Sequence, residues 1–310
     1  MRAKPNPSRV SRHRALLRRA SLLLPLALTT CGPSILDPQG PVGAAEKSIL
    51  IDSLAIMLAI VVPTIAATLG FAWWFRAGNT RARYMPDFVY SGRVELIVWS
   101  IPLLTITLLG GVIWIGSYQL DPAKQIGSPA PAIEVQGVSL DWKWLFIYPE
   151  QGIAAVNQLV IPAGIPVHFS LTSASVMNVF FVPQLGSMIY TMNGMTSELN
   201  LQADNPGTFY GQSAHFSGDG FPTMHFDVKA VPAAQFADWV ETTRNAKGPA
   251  LDPPTYNELA KQSMSVAPFT YREIDPQIYQ MIVTQKLPPG PGPDTSTPSQ
   301  IVRPIRELSR

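Results

Sequence analysis

Two long apolar stretches limit what this chain can fold into more than any other feature of its sequence. Ser53–Phe75 and Leu96–Ile115 run for about 23 and about 20 residues without a charged side chain, which is the length a helix needs to cross roughly 30 Å of hydrocarbon. Pro63 and Pro102 lie inside them, and prolines are tolerated where neighbouring helices pack closely. We therefore predict a membrane anchor over residues 31–117 with two transmembrane helices, about 53–75 and 96–115.

The charges beside these stretches predict the direction in which they cross. The connecting segment carries four arginines against one acidic residue, Asp87, whereas the outer flanks are balanced. These arginines are Arg76, Arg81, Arg83 and Arg93. Basic loops stay on the cytoplasmic side of a membrane. We expect the connection in the cytoplasm and everything after residue 117 in the periplasm.

The first 30 residues have the pattern of a secretory signal peptide. A basic segment without acidic residues precedes the short apolar run Ala20–Leu28, which cannot span a bilayer. Cys31 follows and resembles the acylated cysteine of a bacterial lipobox; Leu28 and Gly32 fit that pattern and Thr30 departs from it. The expectation is a lipoprotein cleaved before Cys31. The alternative is an ordinary signal peptide with an incidental cysteine.

Charge and cysteine count exclude several classes of function. Cys31 is the single cysteine, so the chain can form no intramolecular disulfide and no metal site that needs two thiolates. The net charge of +2 does not favour nucleic acid as a partner.

Between residues 118 and 231 the pattern changes to short strands separated by Pro and Gly turns. Runs such as Ile133–Val138, Trp142–Tyr148 and Val167–Ser173 are rich in β-branched and aromatic residues. This spacing is typical of an all-β sandwich. The alternation also predicts that Trp142, Trp144, Phe146 and Tyr148 share one face of a strand.

Three segments resemble subunit II of the haem–copper oxidases, and more narrowly that of the cytochrome bo-type ubiquinol oxidases. They are Leu140–Gly152 (LDWKWLFIYPEQG), Ser175–Gly186 (SVMNVFFVPQLG) and Gly220–Met224 (GFPTM). The resemblance implies a two-helix transmembrane hairpin followed by an all-β cupredoxin-like Greek-key sandwich and a small helical C-terminal region.

The resemblance also locates a copper site that this chain has lost. Copper-bearing relatives hold a binuclear centre with a His on an early strand and a Cys-x3-Cys-x3-His-x2-Met loop. The matching positions here are Asn178, Ser213, Ser217, Phe221 and Met224. The spacing is kept, but the two bridging thiolates are serines, and soft sulfur ligands are what select this metal. We expect no metal in this chain, with Met224 as the one retained ligand.

Other histidines and aromatic residues have less specific interpretations. His215, Asp219 and His225 lie near Met224 in sequence, but His225 and Met224 should point to opposite faces, so a different metal is not expected there. His168 is interpreted as a hydrogen-bonded strand residue. The resemblance places electron transfer from cytochrome c at the Trp142 region, but without copper behind it, packing is the expected role.

Glu95 lies at the predicted cytoplasmic end of the second span. A carboxylate at the edge of a membrane helix is costly unless it is hydrated or paired, so such a residue suggests a functional role. The alternative is that Glu95 is a solvated residue in the first turn of the helix, where the helix dipole favours a negative charge. The resemblance implies that Glu95 stands at the mouth of a proton channel into the catalytic subunit.

The C-terminal part is expected to be a small helical region over residues 232–287, with amphipathic segments at Ala233–Arg244, Tyr256–Met264 and Pro276–Gln285. Residues 288–310 are rich in Pro and Gly, and a disordered tail is predicted for them.

The resemblance implies that the chain is a non-catalytic subunit of a proton-translocating quinol oxidase, and the apolar stretches and signal pattern favour the bacterial inner membrane. The resemblance implies that haems and one copper lie in a partner subunit I, that quinol is the substrate of the complex, and that smaller membrane subunits (III, IV) and the lipid bilayer are the other partners. Cytochrome c is not expected as a donor. The alternatives are a cytochrome c oxidase subunit with an atypical electron-accepting site, and a membrane-tethered periplasmic binding or assembly protein.

Overall fold

A computed structural model describes residues 35–83 and 85–292 of the chain. The predicted signal peptide, Cys31 and residues 293–310 of the predicted tail lie outside the described residues.

The first two helices are the predicted membrane spans. The α-helices of the described residues are α1 (Pro41–Trp74), α2 (Gly92–Gln119), α3 (Ala233–Asn245), α4 (Pro253–Leu259) and α5 (Ile278–Val283). Only α1 and α2 among the described helices are long and apolar enough to cross a membrane. Both begin earlier than the apolar stretches, because charged residues such as Glu46 end an apolar run without ending a helix.

The start of α1 is attached to the globular part of the chain. The Gln39 N–H donates to the Gln184 carbonyl at 2.7 Å, and the Gly43 N–H donates to the Leu185 carbonyl at 3.1 Å. Glu46 accepts a hydrogen bond from the Ser187 hydroxyl. The first turns of α1 are therefore packed against the globular part of the chain, which explains why the helix is longer than its apolar stretch.

The strands after α2 form a sandwich. The strands of the described residues are β1 (Ile133–Leu140), β2 (Lys143–Tyr148), β3 (Ile153–Val156), β4 (Gln158–Pro162), β5 (Val167–Ser173), β6 (Asn178–Phe181), β7 (Ile189–Thr191), β8 (Ser197–Leu201), β9 (Gly207–Ser213), β10 (His225–Val231), β11 (Ala250–Leu251), β12 (Phe269–Tyr271) and β13 (Glu273–Ile274). One sheet has the order β12-β3-β2-β1-β5-β8 and the other β4-β10-β9-β6-β7, while β11 and β13 form a short separate pair. The chain passes repeatedly between the two large sheets, as in a Greek-key sandwich.

Two hydrophobic cores bury both faces of the six-stranded sheet. The first core, between the two large sheets, contains Trp144, Phe146 and Tyr148 of β2. The second, on the other face, contains Leu145 and Ile147 together with residues from the C-terminal helices. Successive strand residues point to opposite faces, so β2 is buried along its whole length.

The C-terminal region is more than a helical appendage. It contains α3, α4 and α5, although α4 covers Pro253–Leu259 rather than the predicted Tyr256–Met264. In addition, β12 pairs antiparallel with β3 and extends the six-stranded sheet. Its helices supply Tyr256, Leu259 and Ile278 to the second core. This region therefore covers a face of the sheet that the sequence alone would leave in solvent.

Candidate functional site

Three of the five residues that the sequence analysis matched to a copper site gather at one end of the sandwich. Asn178 begins β6, Ser213 ends β9, and Met224 directly follows a 3₁₀ turn at Phe221–Thr223. The side chains of Asn178, Ser213 and Met224 are at most 5% exposed. Three elements that are distant in sequence therefore converge on one buried point.

Hydrogen bonds join these three residues to one another. The Asn178 amide nitrogen Nδ2 donates to Met224 Sδ at 3.2 Å, and Asn178 Oδ1 accepts from the Ser213 hydroxyl and from the Val179 N–H at 2.9 Å. The Ser213 N–H donates to the Met224 carbonyl at 3.1 Å. We refer to Asn178, Ser213 and Met224 as the Asn–Ser–Met cluster.

The two remaining positions do not join this cluster. The Ser217 hydroxyl is buried without a hydrogen-bond partner among the described residues, while the Ser217 carbonyl accepts from the indole Nε1 of Trp142 at 2.9 Å. Phe221 is partly exposed and packs edge-on against Phe216, with ring centroids 5.6 Å apart. The structure thus brings three of the five predicted positions into mutual contact. The side chains of Ser217 and Phe221 lie outside this contact, although the Met224 N–H donates to the Phe221 carbonyl at 3.0 Å.

A binuclear copper centre does not fit the residues at this point. Ser213 and Ser217 offer hydroxyls in place of bridging thiolates, and Phe221 offers no donor atom. Both amide atoms of Asn178 are engaged in hydrogen bonds. Met224 carries the one sulfur of the cluster, and copper of this kind needs several soft ligands. The cluster is a hydrogen-bonded packing unit whose polar atoms satisfy one another.

Trp142 does not lie where the alternation predicts. It has φ of 65° in the turn between β1 and β2, so its ring leaves the face that Trp144, Phe146 and Tyr148 share, and the prediction of four rings on one face is wrong for this residue. Its ring instead packs directly against Gly220, where an added Cβ would lie 2.3 Å from the indole. Trp142 therefore holds the β9–β10 loop in place.

A buried charged residue beside Trp142 is missed by the sequence analysis. Lys143 is 1% exposed, and its ammonium donates to the Lys261 carbonyl at 2.6 Å and to the Ser263 hydroxyl at 2.7 Å. Burial lowers the pKa of Lys143 to about 8, against the opposing effect of the nearby Asp141 carboxylate. The sequence contains one signal for this burial. In a strand, alternate residues share a face, so Lys143 points to the same side as the apolar residues Leu145 and Ile147.

The histidines occupy ordinary structural environments. His168 lies on β5 with Nδ1 3.1 Å from Asn200 Oδ1, which confirms its interpretation as a hydrogen-bonded strand residue. His225 is exposed and stacks on Tyr210 at 5.7 Å, whereas the adjacent Met224 is buried. Within residues 35–83 and 85–292, no group of three or more His, Cys, Asp or Glu side chains could hold a metal ion.

Glu95 lies in the first turn of α2, and its N–H donates to the Ser91 carbonyl at 3.0 Å. Its side chain is exposed, as are the apolar side chains that follow it on this helix. This position leaves the carboxylate free to face water or a neighbouring subunit.

Comparisons with known proteins found similar sequences over most of this chain. The family model described as cytochrome c oxidase subunit II, periplasmic domain, matches residues 109–231. The cytochrome bo(3) ubiquinol oxidase subunit 2 of Pseudomonas aeruginosa is 44% identical over 271 residues, covering 87% of this chain and 82% of that protein. The ubiquinol oxidase subunit 2 of Acetobacter aceti is 43% identical over 270 residues, covering 86% of this chain and 87% of that protein. The periplasmic domain of subunit II of cytochrome oxidase (CoxB) of Bradyrhizobium japonicum aligns with 37% of this chain and 94% of that chain, at 25% identity and a TM-score of 0.36.

Proposed function

Because this chain belongs to the subunit 2 family of the haem–copper ubiquinol oxidases, we propose that it is subunit II of a proton-translocating terminal quinol oxidase. In this complex quinol is oxidised and oxygen is reduced to water in a partner subunit I, which holds the haems and one copper. This chain is a structural subunit without its own redox centre.

The observation that carries this proposal is the Asn–Ser–Met cluster. A water-soluble cytochrome c needs a metal relay in the globular domain to pass electrons to haems in the membrane. Asn178, Ser213 and Met224 bond to one another at the place where the relatives hold that relay, and hydroxyl and amide donors do not select copper. The donor is therefore a lipid-soluble quinol, oxidised within the bilayer by the partner.

The two apolar helices support a position in the bacterial inner membrane. The basic connection between α1 and α2 favours the cytoplasm, so the sandwich lies in the periplasm and docks against subunit I and smaller membrane subunits. Cys31, on the same side, is the proposed lipidation site. Mass spectrometry of the purified chain tests this, because a mature protein that begins at any residue other than an acylated Cys31 contradicts it.

Metal analysis of the complex that co-purifies with this chain in detergent tests the central proposal. A single copper atom for each pair of haem irons is expected, because only the buried catalytic copper should be present. An excess of copper would mean that the sandwich holds a redox metal and would favour the cytochrome c oxidase alternative. Absence of haem would favour a membrane-tethered binding protein instead.

Glu95 is the proposed start of a proton-uptake path. Its exposed carboxylate at the first turn of α2 can be wetted from the cytoplasm and can face a partner helix. Glu95→Gln should slow oxygen consumption while haem content and assembly stay normal. Asp87→Asn removes the acidic residue of the connecting loop and is the matched control, for which turnover should stay near that of the native protein. Unchanged oxygen consumption by an assembled Glu95→Gln complex would refute this role.

A further inference from the structure

A cavity lies where the two long helices join the sandwich. It is bounded by the first residues of α1, by the last residue of α2 with the segment 120–126 that follows it, and by Ser187, Leu199 and Asn200 of the sandwich. Its volume is about 160 Å³. An apolar cavity of about 150 Å³ is large enough to hold benzene. This space, which we call the helix-base cavity, therefore has room for a small chemical group.

Hydrogen bonds and helix packing fix the walls of the helix-base cavity. Asn200 is 3% exposed, and its backbone N–H donates to the Pro122 carbonyl at 2.9 Å. The Asn200 side-chain nitrogen Nδ2 donates to the Ala123 carbonyl at 3.1 Å. An added Cβ on Gly116 would lie 2.8 Å from Ile49 Cδ1, so α1 and α2 are in close contact just before α2 ends. The cavity is therefore a fixed feature of the chain.

With α2 as a membrane span, the helix-base cavity lies at the level of the lipid headgroups. The apolar stretch of α2 ends at Ile115, and Gln119, which lines the cavity, is about 6 Å further along the helix. Lipid headgroups occupy roughly 5–7 Å beyond the hydrocarbon on each side of a bilayer. Trp114 and Tyr118 on α2 are exposed, with ring centroids 5.2 Å apart, and both residue types are enriched at this boundary.

Two side chains of opposite charge line the helix-base cavity. Asp121 and Lys124 are exposed and both belong to its lining. The Lys124 N–H donates to the Asp121 carbonyl at 2.9 Å, so the two residues belong to one turn. Neither side chain forms an ion pair with another of the described residues. Val42, Leu120 and Leu199 add apolar surface, so the cavity offers one cation and one anion beside an apolar wall.

We propose that the helix-base cavity binds the headgroup of a zwitterionic phospholipid, of which phosphatidylethanolamine is an example. The Lys124 ammonium binds the lipid phosphate and the Asp121 carboxylate binds the lipid ammonium, while the apolar wall contacts the methylene groups between them. An anionic lipid offers Asp121 no cation, and its phosphate is repelled by that carboxylate. The site depends on α1 and α2 crossing a bilayer, and it does not depend on quinol oxidation.

Native mass spectrometry of the full chain in detergent, with increasing amounts of phosphatidylethanolamine, tests this site. The native chain should retain one lipid tightly. Asp121→Asn/Lys124→Gln should weaken this binding at least about tenfold, because a hydrogen bond to a charged group contributes roughly 10- to 100-fold in affinity. Asp238→Asn/Lys247→Gln removes the same two charges from exposed positions of the C-terminal region and should leave the binding unchanged.

The choice of lipid distinguishes this site from the lipid layer that surrounds any membrane helix. Phosphatidylglycerol carries a phosphate but no ammonium, so the native chain should bind it more weakly than phosphatidylethanolamine. Asp121→Asn should reduce this preference, because it removes both the partner of the lipid ammonium and the repulsion of the phosphate. Inorganic phosphate should not displace the bound lipid, since it makes no contact with the apolar wall.

Three results would overturn the site. They are equal binding of both lipids by the native chain, a double variant that retains phosphatidylethanolamine as tightly as the native chain, and displacement of the lipid by inorganic phosphate, which would indicate a simple anion site. The binding measurement needs no oxidase activity, so a failure of the proposed function would not alter its outcome.

Discussion

The Asn–Ser–Met cluster predicts non-additive stability changes at two positions. Asn178→Leu removes the acceptor of the Ser213 hydroxyl and the donor to Met224. Ser213 is 5% exposed, so its hydroxyl is left buried without a partner at a cost of about 1–3 kcal/mol. We expect Asn178→Leu to lower the free energy of unfolding by about 2 kcal/mol.

The same reasoning predicts a smaller combined effect when both partners are replaced. Ser213→Ala alone removes one hydrogen bond worth about 1 kcal/mol, and it leaves Asn178 Oδ1 still accepting from the Val179 N–H. In the double variant no orphaned hydroxyl remains. The loss of unfolding free energy in the double variant should therefore be smaller than the sum of the losses in the two single variants. The difference, the coupling free energy, should be about 1 kcal/mol.

Thermal unfolding of the full chain in detergent, followed by tryptophan fluorescence, measures these effects. For a domain of this size, 1 kcal/mol corresponds to roughly 2–4 °C in the melting temperature, so Asn178→Leu should lower it by about 4–8 °C. The control combines Asn178→Leu with Ser170→Ala. The Ser170 hydroxyl donates to Glu134 on a different pair of strands, so the shifts in melting temperature of these two changes should add. Additive shifts for Asn178→Leu and Ser213→Ala would refute the reasoning.

Three further predictions concern buried contacts elsewhere in the sandwich. Burial lowers the pKa of Lys143 from 10.5 to about 8. Between pH 8 and 10 the unfolded chain therefore binds more protons than the folded chain, and the free energy of unfolding should rise with pH. The melting temperature should rise less steeply across this range for Lys143→Met. Gly220→Ala places a Cβ 2.3 Å from the Trp142 ring and should lower the melting temperature and shift the tryptophan emission to the red, and identical spectra would contradict the packing described. Gly40→Ala places a Cβ against a backbone carbonyl and should loosen the start of α1 from the sandwich, as amide hydrogen exchange would detect. Gly127→Ala, with open space around it, is the neutral control for both glycine variants.

Some properties of this protein follow from its sequence because they depend on local composition. The two apolar stretches are as long as a helix that crosses the hydrocarbon of a bilayer, and this length predicts α1 and α2. Alternation and turn residues predict β5 at the observed residues, Val167–Ser173. The single cysteine, Cys31, excludes a metal site bridged by two thiolates of this chain, whatever the fold.

Other properties depend on contacts between residues that are far apart in the chain. The Lys143 ammonium binds the Lys261 carbonyl across 118 positions, and no local pattern shows that a C-terminal segment covers this lysine. Trp142 leaves the predicted strand face because the turn places its ring against Gly220 and the Ser217 carbonyl.

The sequence by itself thus determined the two long apolar helices, the presence of a β-sandwich and the lack of a second thiol, because each is a matter of chain length, periodicity or composition. The tertiary structure alone decided how Asn178, Ser213 and Met224 are arranged. These three residues bond to one another because β6, β9 and the turn before β10 meet at one point, and most buried polar groups form hydrogen bonds with whichever partners the fold brings near.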